Sequence, residues 1–251
     1  MCLRRLLDNF SRKRRIMNRT VWDTSLMRRI NALDAIYTRV ERAQATFRES
    51  AQNHGSPLAC PKRCGTCCVH FVPDLMPIEA DRIAYYLLTE KSGLIDHFLA
   101  HRQEAEAVDA ACPFWNPDKP GENCMIYPAR PLICRLFGFC SMLDKGGEPA
   151  FTLCRQMPPL PGNEKRRFIG TKTMDEVFGS IPPLMLDFSR AVIALDPSDS
   201  GGRTTIDAAL VSSLSKVSLL LKFAAADSAN LAGIRGAMGE TPEDEPTEEA
   251  S

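Results

Sequence analysis

The sequence predicts a mainly α-helical protein with one small, irregular β-hairpin, in which helices flank a cysteine-rich centre. Three observations carry this. Apolar residues recur at spacings of three and four near both ends of the 251-residue chain, the period of a buried helix face. Nine of the ten cysteines fall between Cys60 and Cys154, and the last 97 residues have none. Within that interval the stretch PFWNPDKPGEN has too many breakers for a regular element. Asp144-Lys145-Gly146-Gly147 separates two short apolar runs, a hairpin signal.

The elements follow in order. Residues 1–22 carry Arg4, Arg5, Arg12, Lys13, Arg14, Arg15 and Arg19 against Asp8 and read as a basic, solvated tail; Met17 is a second candidate start. Residues 23–56 form an amphipathic helix, regular over 24–51. Leu26, Ile30, Leu33, Tyr37, Val40, Gln44 and Phe47 make one stripe, Asp23 or Thr24 is the N-cap, and Gly55 and Pro57 end the segment. Such a stripe docks on its own domain or takes up a partner helix. Residues 57–160 form the cysteine domain. After its first cysteines it has a helix over 77–90 with Pro77 at its first position, then a helix over 92–111. The hairpin arms are 137–143 and 149–153. Residues 161–226 are helical. A capping box at Thr173, Met174, Asp175 and Glu176 starts one helix, residues 183–195 form a second, and Ile206, Leu210, Leu214, Val217, Leu221 and Ala224 line a third. Residues 227–251 read as an acidic, disordered tail.

Composition narrows the function. Lys and Arg number 31 and Asp and Glu number 31, so the formal net charge is zero, which argues against nucleic acid as the main partner. Hydrophobic residues make up 44% and charged residues 25%, the mix of a soluble globular protein. No uninterrupted apolar run suggests a membrane span, and the start lacks a signal-type apolar stretch. A cytoplasmic location is therefore expected. In a reducing compartment, clustered cysteines read as metal ligation or redox chemistry rather than disulfides.

The first cluster is Cys60-Pro-Lys-Arg-Cys64-Gly-Thr-Cys67-Cys68. Gaps of two and three residues let one turn of backbone bring sulfurs onto a single metal centre. Gly65 gives that turn its freedom. In extended backbone Cys67 and Cys68 would point apart and serve different sites. The second group is Cys112, Cys124 and Cys134. Pro131 at a helix N1 position puts Cys134 in a first turn, where the helix dipole favours a thiolate. Cys140 and Cys154, on the two hairpin arms, either face each other or leave Cys154 to ligate alone. Lys62, Arg63, Arg130, Arg135 and Arg155 stand ready to offset thiolate charge. His70 is a reserve ligand. His97, His101, Glu79, Asp81, Glu104 and Glu106 read as solvated helix faces.

The pattern C-x3-C-x2-C-C, then C-P-F, then C-x-I-Y-x-x-R-P-x-x-C-R-x-F resembles the YkgJ-like cysteine-cluster family of zinc- or iron-chelating domains. The matching residues are Cys60, Cys64, Cys67, Cys68, Cys112, Cys124, Tyr127, Arg130, Pro131, Cys134, Arg135 and Phe137, with Cys154 as a further family cysteine. The resemblance spans residues 60–154. It implies a metal ligand set of Cys60, Cys64, Cys67, Cys68, Cys112, Cys124, Cys134 and Cys154, enough for two four-thiolate sites or for one site with spare thiols. Flagellin lysine-N-methylases resemble the same core, which implies a [4Fe–4S] cluster and S-adenosylmethionine, and tilts the choice of metal toward iron–sulfur over zinc.

Two function classes follow. One is a metal-binding protein with an iron–sulfur cluster or zinc in a structural, redox or carrier role. The other is a cluster-dependent enzyme, most readily an S-adenosylmethionine-dependent protein methyltransferase. A radical S-adenosylmethionine enzyme is a minor alternative. Cys60, Cys64 and Cys67 have its spacing, and Gly146-Gly147-Glu148 imitates its methionine-binding motif, but that fold needs repeated strand–helix units.

Overall fold

The computed structural model describes residues 25–56, 58–60, 65–102, 111–119, 122–160, 167–197 and 202–238, with side chains to residue 226. Its longest N-terminal element is α1, Ser25–Asn53. Leu26, Ile30, Leu33, Tyr37, Val40, Gln44 and Phe47 are all buried, so the stripe docks on its own domain. The helix serves two cores. Leu26 to Val40 enter the larger one, while Phe47 and Ala51 enter a smaller one with Phe151, Ile169, Met174 and Phe178. Phe47 meets Phe151 and Phe178 edge to face at 5.8 and 5.4 Å, the geometry aromatic quadrupoles favour. The expected N-cap lies outside the described residues.

Two helices start side by side on a short ladder. Strand β1, Asp74–Leu75, pairs antiparallel with β5, Thr204–Thr205, and Ile206 N–H bonds Pro73 O at 3.0 Å. Helix α2, Pro77–Thr89, follows β1, with Pro77 at N1 as expected. Helix α7, Ile206–Met238, follows β5. Its apolar face, Ile206, Leu210, Leu214, Val217 and Leu221, is buried. The helix runs past the expected limit of 226, because no proline breaks the Ala- and Leu-rich run before Glu240. Residues 206–226 have a mean hydropathy of 1.5, long and apolar enough to cross a membrane, with a third buried within the protein. The three charges Asp207, Lys216 and Lys222 break every contiguous apolar run and hide this from a simple scan. Between α2 and the cysteine loops lies α3, Gly93–His101; its expected extension over 103–110 lies outside the described residues.

The hairpin forms as expected. Strand β2, Met142–Leu143, pairs with β3, Pro149–Thr152. Asp144 Oδ1 accepts from the Gly146 and Glu148 amides at 2.8 and 3.0 Å, and Gly147 takes φ +82°. A third strand, β4 (Phe168–Gly170), joins β3. It is too short to show a period. It also moves the start of α5, Thr171–Phe178. Thr171 Oγ1 donates to Pro149 O at 2.8 Å, so the helix begins straight off the strand with Gly170 as N-cap, and no capping box forms at Thr173. Short helix α4 (Leu132–Leu136) carries Cys134, and α6 (Met185–Ile193) packs on α1. The described strands are short and antiparallel. They do not supply the strand–helix repeats of a radical S-adenosylmethionine fold, and Gly146-Gly147-Glu148 is simply the hairpin turn.

Candidate metal centre

Four short segments build the site. Gly65 takes φ +62°, a conformation that side chains resist, and turns the chain into a 3-10 turn, Thr66–Cys68. The turn closes with Cys68 N–H on Gly65 O at 2.9 Å. Helical rather than extended backbone puts Cys67 and Cys68 on the same cavity, hydrogen-bonded to each other. They line one cavity instead of pointing apart. The Cys68 carbonyl then accepts the Cys112 N–H at 2.9 Å, tying the first segment to the second.

The irregular stretch after Cys112 is a loop folded on itself. Trp115 and Cys124 form an antiparallel bridge, and Asn116 N–H bonds Asn123 O at 2.8 Å. Gly65 approaches this loop so closely that a Cβ there would stand 2.5 Å from Asn123 Cβ. The turn at 65–68 and the loop before Cys124 are thus in register only because residue 65 is glycine. Pro131 then caps α4 from the N-cap rather than N1, and Cys134 lies in its first turn.

Cys67, Cys68, Cys112, Cys124 and Cys134 line one cavity of about 50 Å³, with Tyr127, Arg130 and Ile206 among its other walls. Among the described residues, no carboxylate or imidazole lines it. Burial pushes the Cys112 thiol up to about 12, and it raises Cys124 and Cys134 too. For Cys134, desolvation and neighbouring thiols outweigh any dipole from a five-residue helix, the reverse of the expected thiolate. Cys67 is the exception. It accepts a hydrogen bond from Cys68, which holds its thiolate form down in pKa and pushes Cys68 up. Arg130, its guanidinium 4.1 Å over the Tyr127 ring, lowers Cys67 further. Among the described residues no three ligating side chains meet at one point as they stand. The thiols line a shared wall, and an incoming metal would draw them together while displacing their protons.

The supporting residues are mostly ones a sequence pattern does not mark. Glu79 and Asp81, read as solvated, are each 1% exposed. Glu79 accepts from the Tyr37 hydroxyl at 3.1 Å, the Met76 amide at 3.0 Å and the Leu132 amide at 2.6 Å. One carboxylate thereby joins α1, the start of α2 and the start of the helix bearing Cys134. Asp81 accepts from Lys216 Nζ at 2.6 Å. Arg135, expected beside thiolates, is a strut. Its guanidinium donates to Arg130 O and Pro128 O at 2.9 and 2.7 Å, pairs with Glu41, and stacks 4.2 Å over Tyr37. Gln44 completes the clamp by donating to Arg135 O at 2.7 Å and to Cys140 Sγ at 3.2 Å. His97, expected to be solvated, meets the Pro113 carbonyl at 3.1 Å and stacks on His101, propping the loop after Cys112.

Of the other expected ligands, those among the described residues lie off this cavity. Cys60 is exposed and does not line the cavity. Cys64, Lys62 and Arg63 lie outside the described residues, as do Cys2, Glu104 and Glu106. Cys140 is buried in the larger core, while Cys154 packs against the smaller one. The two therefore do not face each other across the hairpin. His70 is exposed, off the cavity wall.

Comparison with known proteins gives one match. The CxxCxxCC family, described as a "putative zinc- or iron-chelating domain", covers residues 59–156. That is less than half of the chain, and it includes all five cavity cysteines. No curated protein and no solved structure matches the chain, so the link to flagellin lysine-N-methylases gains no support. The donor set agrees with the match, since thiolate-rich sites select zinc or iron–sulfur centres over hard cations. Residues 59–156 are thus similar to the CxxCxxCC family, whose model is described as a "putative zinc- or iron-chelating domain".

Proposed function

We propose that the protein holds an iron–sulfur cluster on the cysteines of this cavity, in a structural or redox role within a reducing compartment. The observation that carries the reading is the wall itself: five thiols from four chain segments, with no carboxylate or imidazole beside them among the described residues. A single tetrahedral zinc uses four ligands. Five sulfurs around one cavity, with Cys64 one residue before Gly65, suit a larger all-sulfur group better. Such a cluster supplies one-electron transfer or a rigid crosslink between chain segments.

The chain's own residues do the rest. Arg130 offsets negative charge from the cavity wall. Glu79, Arg135 and Gln44 hold the segment that runs from Cys124 to the helix bearing Cys134, and the Cys68 carbonyl holds Cys112. Ile206 and Pro73 add apolar surface to the wall, where Cys112 is buried and Cys67 remains exposed.

The test is anaerobic purification with iron, sulfide and zinc measured on the same sample as its absorption spectrum. Iron and acid-labile sulfide with broad absorption near ~400 nm support the reading. Stoichiometric zinc in a colourless protein refutes the iron–sulfur assignment, and neither metal refutes metal binding by this cavity.

A further inference from the structure

Helix α7 has a second apolar face that the core does not use. Leu219, Leu220 and Phe223 are 53%, 39% and 60% exposed, on the side opposite Leu214, Val217 and Leu221. Contiguous exposed apolar surface marks a docking site, and three features identify its occupant.

The first is position. Helix α1 runs antiparallel to α2, because Tyr37 meets Glu79 and Asp34 meets Arg82. Helix α7 runs parallel to α2, because Ile206 starts beside Pro73 and Lys216 reaches Asp81. The start of α1 and the Leu219–Phe223 face therefore lie at the same end of the molecule. The second is pattern. Residues 1–24 precede α1 in the chain, and their Leu3, Leu6, Leu7 and Phe10 fall at one-turn spacing, an apolar stripe if helical. The third is charge. The segment carries Arg4, Arg5, Arg12, Lys13, Arg14, Arg15 and Arg19. Beyond α7 the chain carries Glu240, Glu243, Asp244, Glu245, Glu248 and Glu249.

We propose that residues 1–24 dock in cis on the outer face of α7, with Leu3, Leu6, Leu7 and Phe10 against Leu219, Leu220 and Phe223. The basic residues face the acidic stretch after α7. The fifteen Cα–Cα steps from Phe10 to Ser25 can span at most about 50 Å, ample to reach the face. A second copy of the chain and a lipid surface are the competing occupants.

The experiment places the photo-crosslinker p-benzoylphenylalanine at position 223 of the full chain. Isotopically heavy and light chains are mixed, irradiated with and without anionic phosphatidylglycerol vesicles, digested and mapped by mass spectrometry. Adducts to residues 1–24, within chains of one isotope, are expected. Adducts joining heavy to light chains would overturn the proposal in favour of self-association. Adducts to acyl chains in place of residues 1–24 would overturn it in favour of a membrane, and the absence of any adduct also overturns it. Independently, deleting residues 1–24 should raise fluorescence of an apolar-surface dye severalfold, and F223E in the deleted chain should reverse most of the rise. An unchanged signal would contradict the proposal.

Discussion

Replacing Glu79 perturbs the site without touching a cysteine. Its carboxylate is the shared acceptor of the Tyr37 hydroxyl and the Met76 and Leu132 amides. In Glu79→Ala all three donors stay buried without a partner. Each costs about 1–3 kcal/mol, and since neighbouring losses do not add fully the total is about 3–6 kcal/mol. That approaches the whole stability of many domains, roughly 5–15 kcal/mol, so the variant should be at the edge of folding. Glu79→Gln is more informative. It keeps the volume and one acceptor oxygen, and sets an NH₂ against one amide N–H, costing about 1–3 kcal/mol. Urea unfolding of the metal-free chain measures both. Tyr37→Phe completes a double-mutant cycle whose coupling with Glu79→Gln should be about 0.5–3 kcal/mol. The Leu132 amide opens the helix that carries Cys134, so Glu79→Gln should also weaken metal retention. Both variants within about 0.5 kcal/mol of wild type, with no coupling to Tyr37, would refute the role given to this carboxylate.

Further predictions concern the cavity itself. Gly65→Ala pays for a left-handed backbone, about 1 kcal/mol or more, and drives its Cβ into Asn123; it should lower metal content, and Asn123→Gly in the same chain should restore part of it. No rescue would mean the close approach is unimportant. Metal-free and metal-loaded protein should respond to pH in opposite senses. Buried thiols such as Cys112, pushed up to about 12, stay protonated in the folded metal-free chain while unfolded thiols ionise near ~8.5. The metal-free fold should therefore lose stability as pH rises from about 9 toward 12. Metal binding expels thiol protons, so metal affinity should rise with pH and fall in acid. Unfolding midpoints and competitive chelator titrations across pH check both signs.

How much of this was legible in the sequence follows from which forces set each element. The α1 stripe was readable because seven apolar or amide side chains at helical spacing need one buried face, and all seven are buried. The hairpin was readable because Asp144 and Gly147 have a local turn chemistry. That cysteines of the 60–68 group would join Cys112, Cys124 and Cys134 followed from the family resemblance, whereas the spacing alone had Cys67 and Cys68 pointing apart. The supports of these cysteines were not legible. Glu79 and Asp81 look like any charged pair on a helix, and burial of a carboxylate depends on partners 42 to 135 residues away. Arg135 looked like a counter-charge, yet its fork is spent on the carbonyls of its own loop. Strand β4 was missed because a three-residue strand has no period and exists only through pairing with β3. Cys154 shares its motif with the others but sits beyond the hairpin, where the smaller core claims it.

The measurement that tests the metal centre most directly is metal content per chain for three single variants, purified anaerobically beside the wild type. Cys134→Ser removes a thiol from the cavity wall, Cys140→Ser one from the larger core, and Cys154→Ser one from the smaller core. The geometry predicts that Cys134→Ser loses most of the metal while the other two keep it, with any loss of stability in Cys140→Ser or Cys154→Ser confined to packing. Equal metal in wild type and Cys134→Ser, or loss in Cys154→Ser alone, would contradict the assignment of the metal to this cavity.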